Sequence, residues 1–298
     1  MLRRVRRVAM ALTLLCWVWI GLSYLGVLHP AAESLSVLRF EASLLALALS
    51  VVLLATRALW RGSLGALAAL VIVIPILLDM RIVPAWQAAA DAISLYQKNV
   101  WLKNPSPEAL VADLREVSAD IVTLQEVTDE MARALDAIAG DYPHRHRCRG
   151  GVYILTRLAP AEGGARCPQD PWLNVIALQV ETGAGPLWVV ALHLRWPWPY
   201  DQAAQVDRIL PFLAELDGPV VVAGDFNMVP WGHSVQQISA AAGAERIGRL
   251  ERTFEFGTPL VRLRIDHVLA PRGWRGHTVL RPLAGSDHFG VVARFGPP

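Results

Sequence analysis

From Val8 to Leu28 the chain runs 21 residues without a charged side chain. A helix needs about 20 mostly apolar residues to cross the hydrocarbon core of a bilayer. This run therefore commits the N-terminus to a membrane before anything else about the fold is decided. Two more apolar runs follow, Ala42–Thr56 with 15 residues and Gly62–Leu78 with 17, the latter holding Pro75 near its end. Both are short for a span, and a membrane-dipping hairpin is the alternative. The expectation is about three transmembrane helices within residues 1–80. Composition agrees, with 54% hydrophobic and 18% charged residues against roughly 25% charged in a soluble domain.

Arginine placement sets the expected orientation. Arg3, Arg4, Arg6 and Arg7 precede the first run, and Arg57 and Arg61 separate the second from the third. The positive-inside rule puts both groups in the cytoplasm. Three crossings then deliver everything after Asp79 to the extracytoplasmic side of a multi-pass cell-membrane protein. A cleaved signal peptide is the alternative for the first run, but the run is long for that role and lacks a convincing small-residue cleavage site.

Residues 1–80 hold seven of the 28 basic and three of the 26 acidic residues, a balance of +4, which leaves 21 basic and 23 acidic residues, a balance of −2, for the remainder. That remainder lacks the basic surplus of a strong nucleic-acid binder. Its nearest approach is His144-Arg145-His146-Arg147 with Arg149, readable as a solvated loop or as an anion contact. Cys148 and Cys167 are its only cysteines; outside the cytoplasm such a pair can form a disulfide, and their spacing leaves that open.

After a linker at residues 81–92, residues 93–298 read as an α/β domain. Strand-like runs are Ile93–Val100, Asp120–Glu126, Val152–Thr156, Val175–Val180, Leu187–Leu194, Val220–Ala223, Arg264–Leu269 and Val291–Phe295. Helical runs are Thr128–Ile138, Gln202–Leu216, Val235–Ala242 and one starting at Ser106-Pro107, with serine as N-cap and proline at the first helical position. Strands outnumber helices and irregular connections separate them, which suggests two packed sheets with helices outside.

Polar, metal-competent residues recur at the ends of these strands: Asn99, Glu126, His193, Asp225, Asn227, Asp266, Asp287 and His288. Each has an ordinary reading, such as a turn residue, a helix cap or a core histidine. Strand ends can also converge on one cleft, and carboxylates with an amide oxygen suit a hard cation such as Mg²⁺ that binds phosphate.

The motifs Tyr96-Gln97-Lys98-Asn99-Val100, Leu124-Gln125-Glu126-Val127, Ala191-Leu192-His193-Leu194, Gly224-Asp225-Phe226-Asn227, Ile265-Asp266-His267 and Ser286-Asp287-His288 occur in this order. In that order they resemble the endonuclease/exonuclease/phosphatase family, in a membrane-anchored bacterial form. The resemblance spans essentially all of residues 93–298. It implies a four-layer αββα sandwich that hydrolyses phosphodiesters or phosphomonoesters with Mg²⁺ or Mn²⁺. It further implies that Glu126 holds the metal with Asn99 and Asp287, that Asp225 deprotonates the attacking water, and that Asn227 binds the phosphate. By the same resemblance His288, paired with Asp266, supports the developing charge, and His193 assists from the leaving-group side.

The sequence departs from many relatives in carrying Phe289-Gly290 after Ser-Asp-His, where a proline is common. The expected partner is a phosphate-ester substrate, nucleic acid or lipid headgroup, with no protein partner. An inactive binding or scaffold protein of the same fold is the rival. Trp196-Pro197-Trp198-Pro199-Tyr200 is readable as a stiffened surface loop, a membrane-interface contact or a base-stacking platform.

Overall fold

The protein is described here by a computed structural model covering residues 1–81, 92–148, 150–258 and 261–298. Arg149 and all but the ends of the 81–92 linker lie outside the described residues. The chain divides into two compact units. One holds the N-terminal helices with Pro197–Pro199 and Trp231–His233; the other holds the rest.

The N-terminal unit contains α1 (Leu2–Ser23), α2 (Pro30–Ser36), α3 (Arg39–Ala55) and α4 (Leu59–Arg81). Among the described residues α1 and α4 are long and apolar enough to cross a membrane, and α2 with α3 counts as a third crossing only if that pair, bent by 60°, is one span. Two points depart from the expectation. The first helix lies six residues earlier than the charge-free run and ends at Ser23; Pro30 then begins a new helix behind the capping side chain of His29. The second run is no full span by itself. The helix that holds most of it, α3, has 17 residues and rises about 26 Å at 1.5 Å each, short of the ~30 Å core. Pro75 sits inside α4 without ending it.

In the second unit the elements run β1 (Ile93–Asn99), α5 (Pro107–Val117), β2 (Ile121–Gln125), α6 (Asp129–Leu135), β3 (His144–Arg147), β4 (Tyr153–Thr156), β5 (Pro160–Arg166), β6 (Val175–Thr182) and β7 (Gly185–His193). They continue as α7 (Gln202–Ala214), β8 (Val220–Asp225), α8 (His233–Ala241), β9 (Ala244–Arg246), β10 (Phe254–Glu255), β11 (Arg262–Leu263), β12 (Asp266–Pro271), β13 (Arg275–Arg281) and β14 (Gly290–Gly296). Two six-stranded sheets form, in the orders β13-β14-β1-β2-β4-β3 and β5-β6-β7-β8-β12-β9.

Alternation along each strand explains the layers. Leu95, Ile121 and Ile154 of the first sheet meet Leu178, Val189, Val221 and Val268 of the second in the central core. Tyr96, Val122, Leu124 and Leu155 face the other way and pack with Leu110 and Leu114 of α5 and with Met131 and Leu135 of α6. On the second sheet the opposite residues Val190, Leu192 and Val222 are buried too, as are Val206 and Ile209 of α7 and Ile238 of α8. These are the four layers of an αββα sandwich.

The reading of His144–Arg147 as a loop is corrected: the segment is β3, an edge strand that among the described residues pairs only with β4. β5 and β13 are edges as well, and β13 (Arg-Gly-His-Thr-Val-Leu-Arg) carries charge as edge strands do. Ser106 occupies the N-cap of α5, but its side chain makes no capping hydrogen bond. Cys148 and Cys167 are joined by a disulfide.

Gly224 has a steric reason to be glycine. It lies in β8 opposite Leu192 of the parallel strand β7, and a Cβ there would overlap the Leu192 carbonyl oxygen. Gly224→Ala is expected to cost about 1–3 kcal/mol through forced backbone movement, read as a lower denaturation midpoint of the purified protein. An unchanged midpoint would refute this account of the Gly-Asp-Phe-Asn motif.

Candidate active site

The two sheets bring their polar strand ends together. β1 and β2 are parallel, so Asn99 stands beside Gln125, next to Glu126. β7 and β8 are parallel, so His193 stands beside Asp225. β12 runs antiparallel to β8 in a register that sets Asp266 opposite Asp225. The turn before β14 supplies Asp287 and His288.

Asn99 links the sheets. Its Nδ2 donates to Glu126 Oε1 at 2.9 Å and to Asp225 Oδ2 at 3.0 Å. Its Oδ1 accepts from the Trp101 backbone at 3.0 Å and keeps a second lone pair. Glu126 sits just past β2 with φ +59°, a left-handed conformation that is costly for such a side chain. Neighbouring bonds hold it: Leu102 N donates to Glu126 Oε2 at 2.9 Å, Val127 N donates to Gly151 O at 3.0 Å, and Thr128 caps α6. Asn227, also left-handed at φ +47°, donates from its backbone to Asp225 Oδ1 at 2.8 Å and from Nδ2 to Leu194 O at 2.7 Å.

Both imidazoles face Asp225. Its Oδ2 lies 3.6 Å from His193 Nε2 and 3.7 Å from His288 Nε2. His288 Nδ1 is hydrogen-bonded to Asp266 Oδ2 at 2.8 Å, and Gln97 Nε2 donates to Asp266 Oδ1 at 3.1 Å. Burial disfavours charge on His288, but the carboxylates of Asp266 and Asp225 overcome it and lift the imidazole to about 9. Burial likewise opposes the Asp266 charge, yet His288 and hydrogen bonds from Thr253 and Gln97 hold that carboxyl below its ordinary value. Asp225 is pushed up to about 6 by burial, with Asp266 adding and His288, His193 and Asn99 opposing. Burial raises Asp287 too, with a contribution from the nearby Glu126 charge.

The eight residues singled out in the sequence thus converge at one end of the sandwich. The donor set suits a divalent cation. Glu126, Asp225, Asp266 and Asp287 gather four carboxylates, and Asp287 Oδ1 is buried without a hydrogen-bond partner. All-oxygen donors favour Mg²⁺ or Mn²⁺. Asp225, Asp266 and His288 also bring potential ligand atoms within 4.8 Å of one another, but an ion among them would have to displace the Asp266–His288 hydrogen bond; Glu126 and Asp287 are the other carboxylates that could hold one.

Sequence reasoning passed over several neighbours. Gln97, Gln125 and Lys98 are fully buried in β1 and the tail of β2, where polar residues in strands covered on both faces were the available signal. Phe254 packs on the His288 ring with centroids 4.6 Å apart, and Trp196 packs edge-on against Phe254 and Phe256. Trp196 thus joins an aromatic cluster beside the site, while Trp198 and Tyr200 are exposed.

A model of the endonuclease/exonuclease/phosphatase family matches residues 97–288. No curated protein sequence matches the chain. Solved structures share the fold at low identity. An endonuclease/exonuclease/phosphatase family protein from Leptotrichia buccalis is 15% identical, covering 69% of this chain and 100% of that one with a TM-score of 0.55. TDP2 from D. rerio, complexed with a single-strand DNA product, is 20% identical, covering 69% and 99% with a TM-score of 0.55. A beta toxin mutant from Staphylococcus aureus with bound magnesium ions is 15% identical, covering 68% and 99% with a TM-score of 0.51.

The His288 environment gives a testable pH dependence. A folded value of about 9 against an ordinary 6.5 means the imidazolium stabilises the folded state fully below pH 6.5, a contribution lost as pH rises through 9. In protein freed of divalent metal, NMR of ¹³C-labelled histidine is expected to show His288 titrating near 9, with Asp266→Asn moving it downward. A wild-type midpoint at or below 6.5 would contradict the pairing.

Proposed function

The chain belongs to the endonuclease/exonuclease/phosphatase family, and from that premise we propose that it is a membrane-anchored, divalent-metal-dependent phosphodiesterase. The observation that carries this reading is the convergence of Glu126, Asp225, Asp266 and Asp287 with two imidazoles around Asn99. Mg²⁺ or Mn²⁺ held by Glu126 and Asp287, with Asn99 beside them, would supply charge stabilisation at a phosphoryl oxygen.

The protein's own groups supply the rest. Asp225 takes a proton from a water; a carboxylate lifted to about 6 is a competent base near neutral pH. Asn227 fixes the other oxygen of Asp225 and is the amide that would bind the phosphate. His288, charged and oriented by Asp266, donates to the phosphoryl group as negative charge grows. His193, 3.6 Å from Asp225 and 3.7 Å from Glu126, is the imidazole that would assist the leaving oxygen. The DNA product on one structural neighbour and the magnesium on another support a phosphodiester substrate and a metal. The rival, an inactive scaffold, has no physical need to gather four carboxylates at one cleft.

The apolar α1 and α4, with the bent α2–α3 pair as a third crossing, support anchoring with the N-terminus in the cytoplasm and the catalytic domain outside it. The Cys148–Cys167 disulfide supports an oxidising compartment. The substrate is then an ester near the outer membrane surface, nucleic acid or lipid headgroup.

Purified protein is expected to nick plasmid DNA or hydrolyse a phospholipid headgroup ester with Mg²⁺, to stop in EDTA, and to lose at least about 100-fold in Asp225→Ala. Full metal-dependent activity in Asp225→Ala would remove that residue from its role, and a folded protein inert on every phosphate ester would favour the scaffold. A green fluorescent protein fused after Pro298 is expected to stay dark and an alkaline phosphatase fusion to be active; the reverse would place the domain in the cytoplasm.

A further inference from the structure

Lys98 is buried with no solvent exposure, one residue before Asn99. Alternation along β1 sends Leu95 to the central core and Tyr96 to the helix-covered outer face with Leu110 and Leu114, so Lys98 is on the outer face too. An ammonium in such a place is costly, and an aliphatic residue would fill the space without that cost. What lysine adds is a pair of bonds: Nζ donates to His288 O at 2.6 Å and to Pro282 O at 3.1 Å. These carbonyls bracket the turn that carries Asp287 and His288.

The same turn meets β1 elsewhere, because Ser286 Oγ donates to Asn99 O at 2.8 Å and accepts from His288 N at 3.0 Å. On the inner face Gln97 holds Asp266, the ring partner of His288. Two consecutive residues of one strand therefore hold the two members of the pair from opposite faces of the sheet. Backbone position is what sets the 3.7 Å between His288 Nε2 and Asp225, since the ring itself is already tied to Asp266.

We propose that Lys98 is a positioning residue: its ammonium clamps the carbonyls of Pro282 and His288 and so fixes where the His288 ring stands relative to Asp225. This rests on the phosphodiesterase reading of the site.

The test uses the full chain in detergent, with Mg²⁺ and bis(p-nitrophenyl) phosphate. Lys98→Met keeps the side-chain volume and removes the donors. Its kcat is expected to fall about 100-fold, the scale of an ångström-sized misplacement. KM is expected to stay within threefold, the thermal midpoint to be retained, and the His288 NMR signals to shift while those of histidines remote from the site stay in place. Lys98→Gln, which keeps a donor on a shorter stem, is expected to recover part of kcat, and it carries the test if the methionine variant does not fold. A kcat within threefold of wild type with unmoved His288 signals would overturn the clamp. So would a fall in kcat and thermal midpoint together with a rise in KM, which marks a merely structural lysine. Wild-type protein inactive on every ester would sink the phosphodiesterase reading instead, leaving the His288 signals in Lys98→Met to decide the clamp alone.

Discussion

Asp225 and Asp266 lie directly opposite each other on the β8–β12 ladder, both buried. Like charges across one rung repel, and burial raises the cost of ionising either. His288 resolves the conflict by presenting one ring nitrogen to each carboxylate, at 2.8 Å to Asp266 and 3.7 Å to Asp225. The result is a division of labour. Asp266 stays ionised below the ordinary carboxylate range, Asp225 rises to about 6, and His288 keeps its proton to about 9. Paired titratable groups whose values are driven apart in this way provide a base and a charged donor within one cleft.

The sandwich makes that arrangement possible. Parallel pairing of β1 with β2 and of β7 with β8 puts the strand ends of both sheets on the same edge, and the Asn99 amide joins them across the gap. Glu126 and Asn227 accept left-handed backbone because the surrounding hydrogen bonds over-determine them, a form of local strain that clusters at functional sites. The network reaches below the surface layer, since Gln97 and Lys98 contribute from inside β1.

The fold was legible where burial imposes a pattern. β2, β6, β7 and β8 are buried on both faces and read as continuous apolar runs. β3, β5 and β13 escaped notice because they are edges, free of that pattern and rich in Arg, His and Gly. The second membrane run was legible as apolar and short, but its bent pairing with a preceding helix was not, because the break at Val37–Leu38 lies among ordinary helix-forming residues. Site residues were legible when they terminated apolar strands inside ordered motifs. Lys98 and Gln97 sit one and two positions earlier in β1, where polar residues in a strand buried on both faces are the local signal but nothing in the segment shows what they bond.

The sequence by itself determined the apolar N-terminus, the two-sheet α/β class and the identity of the eight polar residues at strand ends. These are consequences of local pattern: run length, alternation, and polar side chains placed where strands stop. Only the tertiary structure decided which residues touch. The register that sets Asp266 against Asp225, the reach of Asn99 between sheets, the joining of Cys148 to Cys167 and the clamp of Lys98 on the His288 main chain all depend on sheet order. Sheet order is fixed by the packing of faces far apart in the chain, and no single segment encodes it.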